Sequence, residues 1–278
     1  YLTAPVHMNF SNLARPIQPQ GGDSVVEIMQ KNVEAVAKQR QETGQPMILH
    51  LNHPNFGWGI TAEEIMQVAG EKFFEVYNGH PSVNDRGDAT HASTERMWDI
   101  ILTWRLAILE TGPIYGLATD DSHEYHSLAP GKSNAGRGWV MVKTPHLSAE
   151  NIILALDAGD FYSSSGVQLN EIRRQAGVFS VQIVAEPGVT YKTEFIGTRK
   201  GFDQSNQPIQ TANGEKLRIT HRYSDDIGEV LASVEGTEAE YHFKGDEIYV
   251  RAKVTSTKPK ANGVHKGEVE VAWTQPFF

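Results

Sequence analysis

The chain has 278 residues, with 34 acidic against 25 basic side chains and a formal charge of −9 at neutral pH. That length allows one large α/β domain or a medium domain with a smaller companion, and the acidic balance excludes a general nucleic-acid binder, which needs a Lys/Arg excess against phosphate. The lack of cysteine excludes disulfides and thiolate ligands, leaving His, Asp and Glu as strong metal ligands and His, Asp, Glu, Ser and Lys for direct catalysis.

No apolar run approaches the roughly 20 residues that span a bilayer, so no membrane span is expected. The opening YLTAPVHMNF lacks the charged-then-apolar layout of a signal peptide. The chain begins with Tyr1 rather than Met, so an upstream segment is expected; location, a secreted or periplasmic one included, stays open. A homo-oligomer is compatible with the sequence.

From Ser24 to about Arg40 the pattern is helical: Ser24 and Glu27 have capping-box spacing, and Val25, Ile28, Met29, Val33 and Val36 share a broad face. PMILHLNHP then reads as a short buried strand ending in a turn. Thr61 and Glu64 open a second capped helix, TAEEIMQVAG, closed at Gly70. FFEVYNG is the next strand. A third helix runs from Ser93 or Thr94 through Trp98, Ile101, Trp104, Leu106 and Ile108, after which PIYGLATD returns as a strand. GWVMVKTP, a helix started by Ser148, and FYSSSG continue the alternation to about Gly166. Such an order predicts a largely parallel sheet or barrel covered by helices over residues 1–166. Beyond it FSVQIVAE, YKTEFIGT, IYVRAKVTST and EVEVAWTQPF alternate between Gly, Pro and Asn turns. Residues 167–278 are therefore expected to form a β-rich, sandwich-like second domain.

In α/β folds, active sites gather at the carboxyl ends of strands. The sequence places there His53 after MILHLN, Glu75 and Asn78 in FFEVYNG, and Asp121 with His123 after YGLAT. In an extended segment residues i and i+2 project to one side, so Asp121 and His123 can reach one cation while Asp120 turns away. Alone, the Asp-x-His is equally compatible with a polar turn, and His53 with a hydrogen-bonded structural histidine; His50 reads as core. A carboxylate with several imidazoles suits Zn, Mn or Fe better than Mg or Ca.

LHLNHPN, FFEVYNG and LATDDSH, in this order, resemble the later motifs of the PHP superfamily, the polymerase-and-histidinol-phosphatase domain of metal-dependent phosphoesterases. TAPVHMNFSNL resembles the family segment in which a histidine supplies a ligand, which makes His7 the match. The resemblance covers about Leu2 to Gly166. It implies a distorted (β/α) barrel of PHP type, amino-terminally truncated, because the family's first motifs, a His-x-His pair, an acid with a histidine and a bridging glutamate, belong before residue 1. It further implies one or more divalent transition metals, Zn, Mn or Fe, held by His7, His53, Asp121 and His123. The implied reaction is hydrolysis of a small-molecule phosphate ester by a metal-activated water, with Asp121 and His123 catalytic and Asp121 orienting the water. Arg137 in NAGRGWV and Asn78 are assigned to the substrate, the guanidinium because it matches phosphate oxygens bidentately. Glu75 supports a ligand or is a strand-end charge, and His80 and His126 read as supporting or solvated.

Two other readings stay open. One is a carboxylic-ester hydrolase, acting at a metal remnant or through Ser163, Ser164 or Ser165 with a histidine base, although no G-x-S-x-G elbow is present. The other is a non-catalytic scaffold whose β-rich domain binds a glycan or partner through Tyr191, Tyr241, Tyr249 and Trp273.

Overall fold

The computed structural model describes residues 5–278 apart from Ala176 and Ala212; Leu2, Thr3 and Ala4, at the start of the PHP-like stretch, lie outside the described residues. In chain order the first elements are β1 (Met8–Ser11), α1 (Val25–Thr43), β2 (Ile48–Leu51), α2 (Ala62–Met66), β3 (Phe73–Asn78), α3 (Thr94–Ala107) and β4 (Tyr115–Thr119). Next come β5 (Trp139–Val142), α4 (Ala149–Ala158), β6 (Phe161–Ser164), β7 (Leu169–Gln175), β8 (Val178–Ile183) and β9 (Tyr191–Arg199). The chain ends with β10 (Asn206–Gln207), β11 (Arg222–Tyr223), β12 (Glu229–Glu235), β13 (Glu238–His242), β14 (Glu247–Pro259) and β15 (Val269–Thr274).

Each helix begins where a side chain satisfies an orphan amide. Ser24, Thr61, Ser93 and Ser148 are N-caps, each accepting from the N–H three residues on. Thr61 and Glu64 complete a reciprocal capping box. α2 is nonetheless shorter than its sequence pattern, ending at Met66. Strands β1 to β4 make one sheet in that order, β1 antiparallel to β2 and the next two pairings parallel. The helices cover it through Met29, Ile65, Trp98 and Ile101.

The expected (β/α) barrel does not form. Strand accounts for 33% of the chain against 18% helix, and among the described residues no sheet closes on itself. The reason lies at the outer edge of β4, where a barrel would add the next parallel strand. Side chains occupy that edge instead. Gly116 N–H donates to Gln275 Oε1 at 2.9 Å, while Gly116 O accepts from Gln275 Nε2 at 2.9 Å and from Ser163 Oγ at 2.7 Å. Ala118 N–H donates to Ser163 Oγ at 3.1 Å. β5 and β6 pair antiparallel with each other and join a six-stranded sheet of order β12-β9-β14-β15-β6-β5.

A three-stranded sheet, β13-β8-β7, faces part of that larger sheet. Phe179, Val181 and Tyr241 from the smaller sheet pack with Phe195, Val250 and Ala252 from the larger. Strands on both sides of residue 166 thus share one sheet, β6 pairing with β15 through Ser164↔Ala272 and Ser163↔Trp273. Residues 249–252 of β14 are buried throughout. Val250 and Ala252 meet the small sheet, whereas Tyr249 joins the helical core. Arg251 pairs with Asp99 of α3 in a buried bidentate contact of 2.8 and 2.7 Å. Burial acts to lower the Arg251 pKa, but Asp99 outweighs it and the net direction is upward. Tyr191, Tyr241, Tyr249 and Trp273 are all buried, so these aromatics are core rather than a binding face. No helix among the described residues is long and apolar enough to cross a membrane.

Candidate functional site

Pairing of β1 with β2 sets the first two groups. Met8 lies opposite Leu51 and Asn52 N–H donates to His7 O at 3.0 Å, so His7 and His53 leave the same end of the sheet together. His7 Nδ1 stands 3.3 Å from His53 Nε2, and Phe56 packs against both rings. From the end of β4, Asp121 approaches His53, with Oδ2 at 4.0 Å from Nε2. The expected extended alternation does not operate here. Asp121 is left-handed, with φ 46°, a conformation sterically costly for a residue bearing a Cβ. The turn still separates the two acids: Asp120 accepts from Gly136 N–H at 2.7 Å, while Asp121 Oδ1 lies 3.8 Å from His123 Nδ1.

The end of β3 braces this arrangement. Asn78 is buried; its Nδ2 donates to Glu75 Oε2 at 2.7 Å and to Asp121 Oδ2 at 3.3 Å, and its Oδ1 accepts from His80 N–H at 2.8 Å. Glu75 Oε2 also accepts the His53 N–H at 2.7 Å. Burial pushes the Glu75 carboxyl up, but His50, Asn78 and the His53 amide together hold it below its ordinary value. Glu75 is therefore a buried carboxylate that supports His53 and Asn78. Two glycines allow the neighbouring segments to come this close. A Cβ on Gly79 would stand 2.6 Å from Arg137 Cβ, and one on Gly138 would stand 2.6 Å from Thr119 O.

Both residues assigned to the substrate have other partners. The Asn78 amide nitrogen is shared between Glu75 and Asp121. Arg137 is 1% exposed; its Nε donates to Asn262 O at 3.0 Å, Nη1 to Gly79 O at 2.8 Å and to Lys132 O, and Nη2 to Ala129 O at 3.1 Å. A guanidinium whose nitrogens are all engaged by carbonyls is not available to clamp a phosphate. The candidate serine nucleophiles are structural as well. Ser163, Ser164 and Ser165 are buried and donate to the carbonyls of Gly116, Val167 and Val271, and none hydrogen-bonds a histidine among the described residues.

His126 is exposed, whereas His80 joins the cluster. The His80 ring meets that of His123 edge-on, with centroids 5.4 Å apart, and its Nδ1 accepts from Ser82 N–H at 3.1 Å. Burial lowers its pKa, opposed by Asp121 and reinforced by His123, His53 and Arg137. Its sequence signal was position alone, two residues past Asn78 at a strand end.

Spacing and tautomers test the fit to a cation. With bonds near 2.0–2.1 Å, two ligand atoms of a tetrahedral zinc site lie about 3.3 Å apart, and the His7–His53 separation of 3.3 Å matches. His123 Nδ1 lies 2.8 Å from the Asp121 carbonyl oxygen, which can only accept. The His123 proton therefore sits on Nδ1 and the lone pair on Nε2, the usual state of a ligating histidine. Asp121 lies beyond ligand spacing from His53, and no three His, Asp or Glu side chains among the described residues form a ready metal-holding group. The fit is good for the His7–His53 pair and the His123 tautomer and incomplete for Asp121. A cavity of about 470 Å³ beside β5, β6 and β7 shares no residue with this cluster.

No protein-family model matches the chain, and no curated protein matches it. The functional reading rests on the motifs and on this geometry.

Proposed function

We propose that the chain is a metal-dependent hydrolase of PHP-like chemistry acting on a small-molecule ester, with a Zn, Mn or Fe ion held by His7, His53, Asp121 and His123. The observation that carries this reading is the convergence of four side chains from three separate segments at one end of the sheet, two of them already at ligand spacing. When bound, the cation supplies Lewis acidity that brings the pKa of water toward neutrality. Asp121 orients the attacking water and takes its proton, its Oδ2 steadied by Asn78. Glu75 holds the His53 backbone and Asn78 in one frame, while Phe56 shields the paired histidine rings.

The motifs favour a phosphate ester. The engagement of Arg137 by four carbonyls favours a carboxylic ester, which needs no guanidinium clamp. A panel of both ester classes, assayed on metal-loaded and chelator-treated protein with elemental analysis, tests the reading. Turnover should follow bound metal, and Asp121→Ala should lower both metal content and turnover. Asn78→Ala should weaken metal binding by roughly 10–100-fold, as loss of an outer support does. Failure to take up any of the three ions, or hydrolysis indifferent to chelation, would sink the proposal.

A further inference from the structure

We infer that His80 contacts the substrate as a fixed hydrogen-bond donor, its Nε2–H holding an oxygen of the bound ester, and that it is not a metal ligand. The inference rests on the ester-hydrolase reading and adds a residue and a role to it. Two constraints place the side chain. Its backbone N–H is tied to Asn78 Oδ1 at 2.8 Å, the same amide that steadies Asp121. Its ring Nδ1 accepts from Ser82 N–H at 3.1 Å. A backbone N–H can only donate, so Nδ1 carries the lone pair and the neutral ring carries its proton on Nε2. A protonated ring nitrogen cannot ligate a cation.

The neighbouring imidazole has the opposite arrangement. His123 directs its Nδ1 to a carbonyl oxygen at 2.8 Å, which frees Nε2 for a ligand bond. Two rings 5.4 Å apart are thus set by backbone groups into different tautomers, one suited to a cation and one to an oxyanion. Among the described residues His80 Nε2 has no protein acceptor, whereas the adjacent Arg137 donors are engaged. Fixed donors aimed at developing negative charge act mainly in the transition state, so the contact belongs in kcat more than in KM.

The test uses the full chain with histidine side chains labelled with ¹⁵N. Long-range proton–nitrogen spectra should show His80 protonated on Nε2 and His123 on Nδ1, and inorganic phosphate added to the metal-loaded protein should shift the His80 Nε2 signal. His80→Asn keeps an acceptor for Ser82 N–H but removes the outer donor. It should bind metal at wild-type stoichiometry and lose roughly a hundredfold in kcat, while His80→Gln, whose amide nitrogen falls near Nε2, should recover much of the loss. A His80 proton on Nδ1, a His80→Asn protein that loses its metal, unchanged kcat, or no response to phosphate would each overturn the inference. A wild-type chain that binds metal and shifts with phosphate but turns over no ester would fail the hydrolase reading while leaving the His80 contact standing.

Discussion

The Arg137 guanidinium offers five N–H donors in one plane, and each of its three nitrogens meets a carbonyl oxygen. It ties Gly79 at the end of β3 to Ala129 and Lys132 in the loop that carries His123, and that loop to Asn262. Arg137→Lys keeps the charge but not the fan of donors, leaving buried carbonyls without partners at a cost of about 1–3 kcal/mol. Both Arg137→Lys and Arg137→Ala should therefore lower the melting temperature by several degrees while leaving KM close to wild type, read by calorimetry and ester kinetics. A lysine variant with unchanged melting and a raised KM would return Arg137 to the substrate. The sequence could not show these partners, because Gly79 and Asn262 are 58 and 125 positions away. His53, Asp121 and His123 were legible for the opposite reason: each follows an apolar strand closely, and a strand end is a local signal.

Helix starts were equally legible, since Ser24, Thr61, Ser93 and Ser148 each bond three residues ahead. The contacts between elements were not. Asp99 of α3 and Arg251 of β14 are 152 positions apart, yet they form a buried ion pair to which Tyr249 OH adds a bond of 2.8 Å. Removing one partner strands the other charge, so Asp99→Ala and Arg251→Ala should each cost about 3–5 kcal/mol. The double variant Asp99→Leu with Arg251→Met should cost much less than their sum in urea melts; strict additivity would show that the pair is not coupled. A second junction, just past β14, is pH-sensitive. Lys260 Nζ donates to Tyr77 OH at 2.9 Å and lies 4.1 Å from that ring's centroid. Burial, opposed by Glu268, lowers its pKa from 10.5 to about 8. A lysine with a depressed folded pKa destabilises the fold fully below the folded value, and the penalty fades as pH rises toward the unfolded one. Lys260→Met should thus gain stability over wild type at neutral pH, and the gain should shrink between about 8 and 10.5. A gain that is constant across that window, or a loss at neutral pH, would contradict the assignment.

Across the whole molecule, the change of periodicity near Gly166 is visible in the sequence because alternation is a local property, but sheet membership is not. Ser163 and Gln275, 47 and 159 positions from Gly116, close the edge of β4 that the alternation alone would hand to another parallel strand. The consequence concerns folding. Residues 1–166 contain every candidate metal ligand, yet β6 needs β15 as its neighbour, β4 needs the Gln275 amide, and α3 needs Arg251 to neutralise Asp99. Tyr249 and Trp273 also belong to the core under the first sheet. A fragment ending at residue 166 would expose that apolar surface, leave the Gly116 N–H at the β4 edge and the outer edge of β6 unpaired, and strand a buried carboxylate. It should therefore be insoluble or lack fixed tertiary structure, whereas the intact chain should unfold in one transition seen alike by near-ultraviolet and far-ultraviolet circular dichroism. A soluble 1–166 fragment with dispersed amide resonances, or two separated transitions in the intact chain, would show that the halves fold independently.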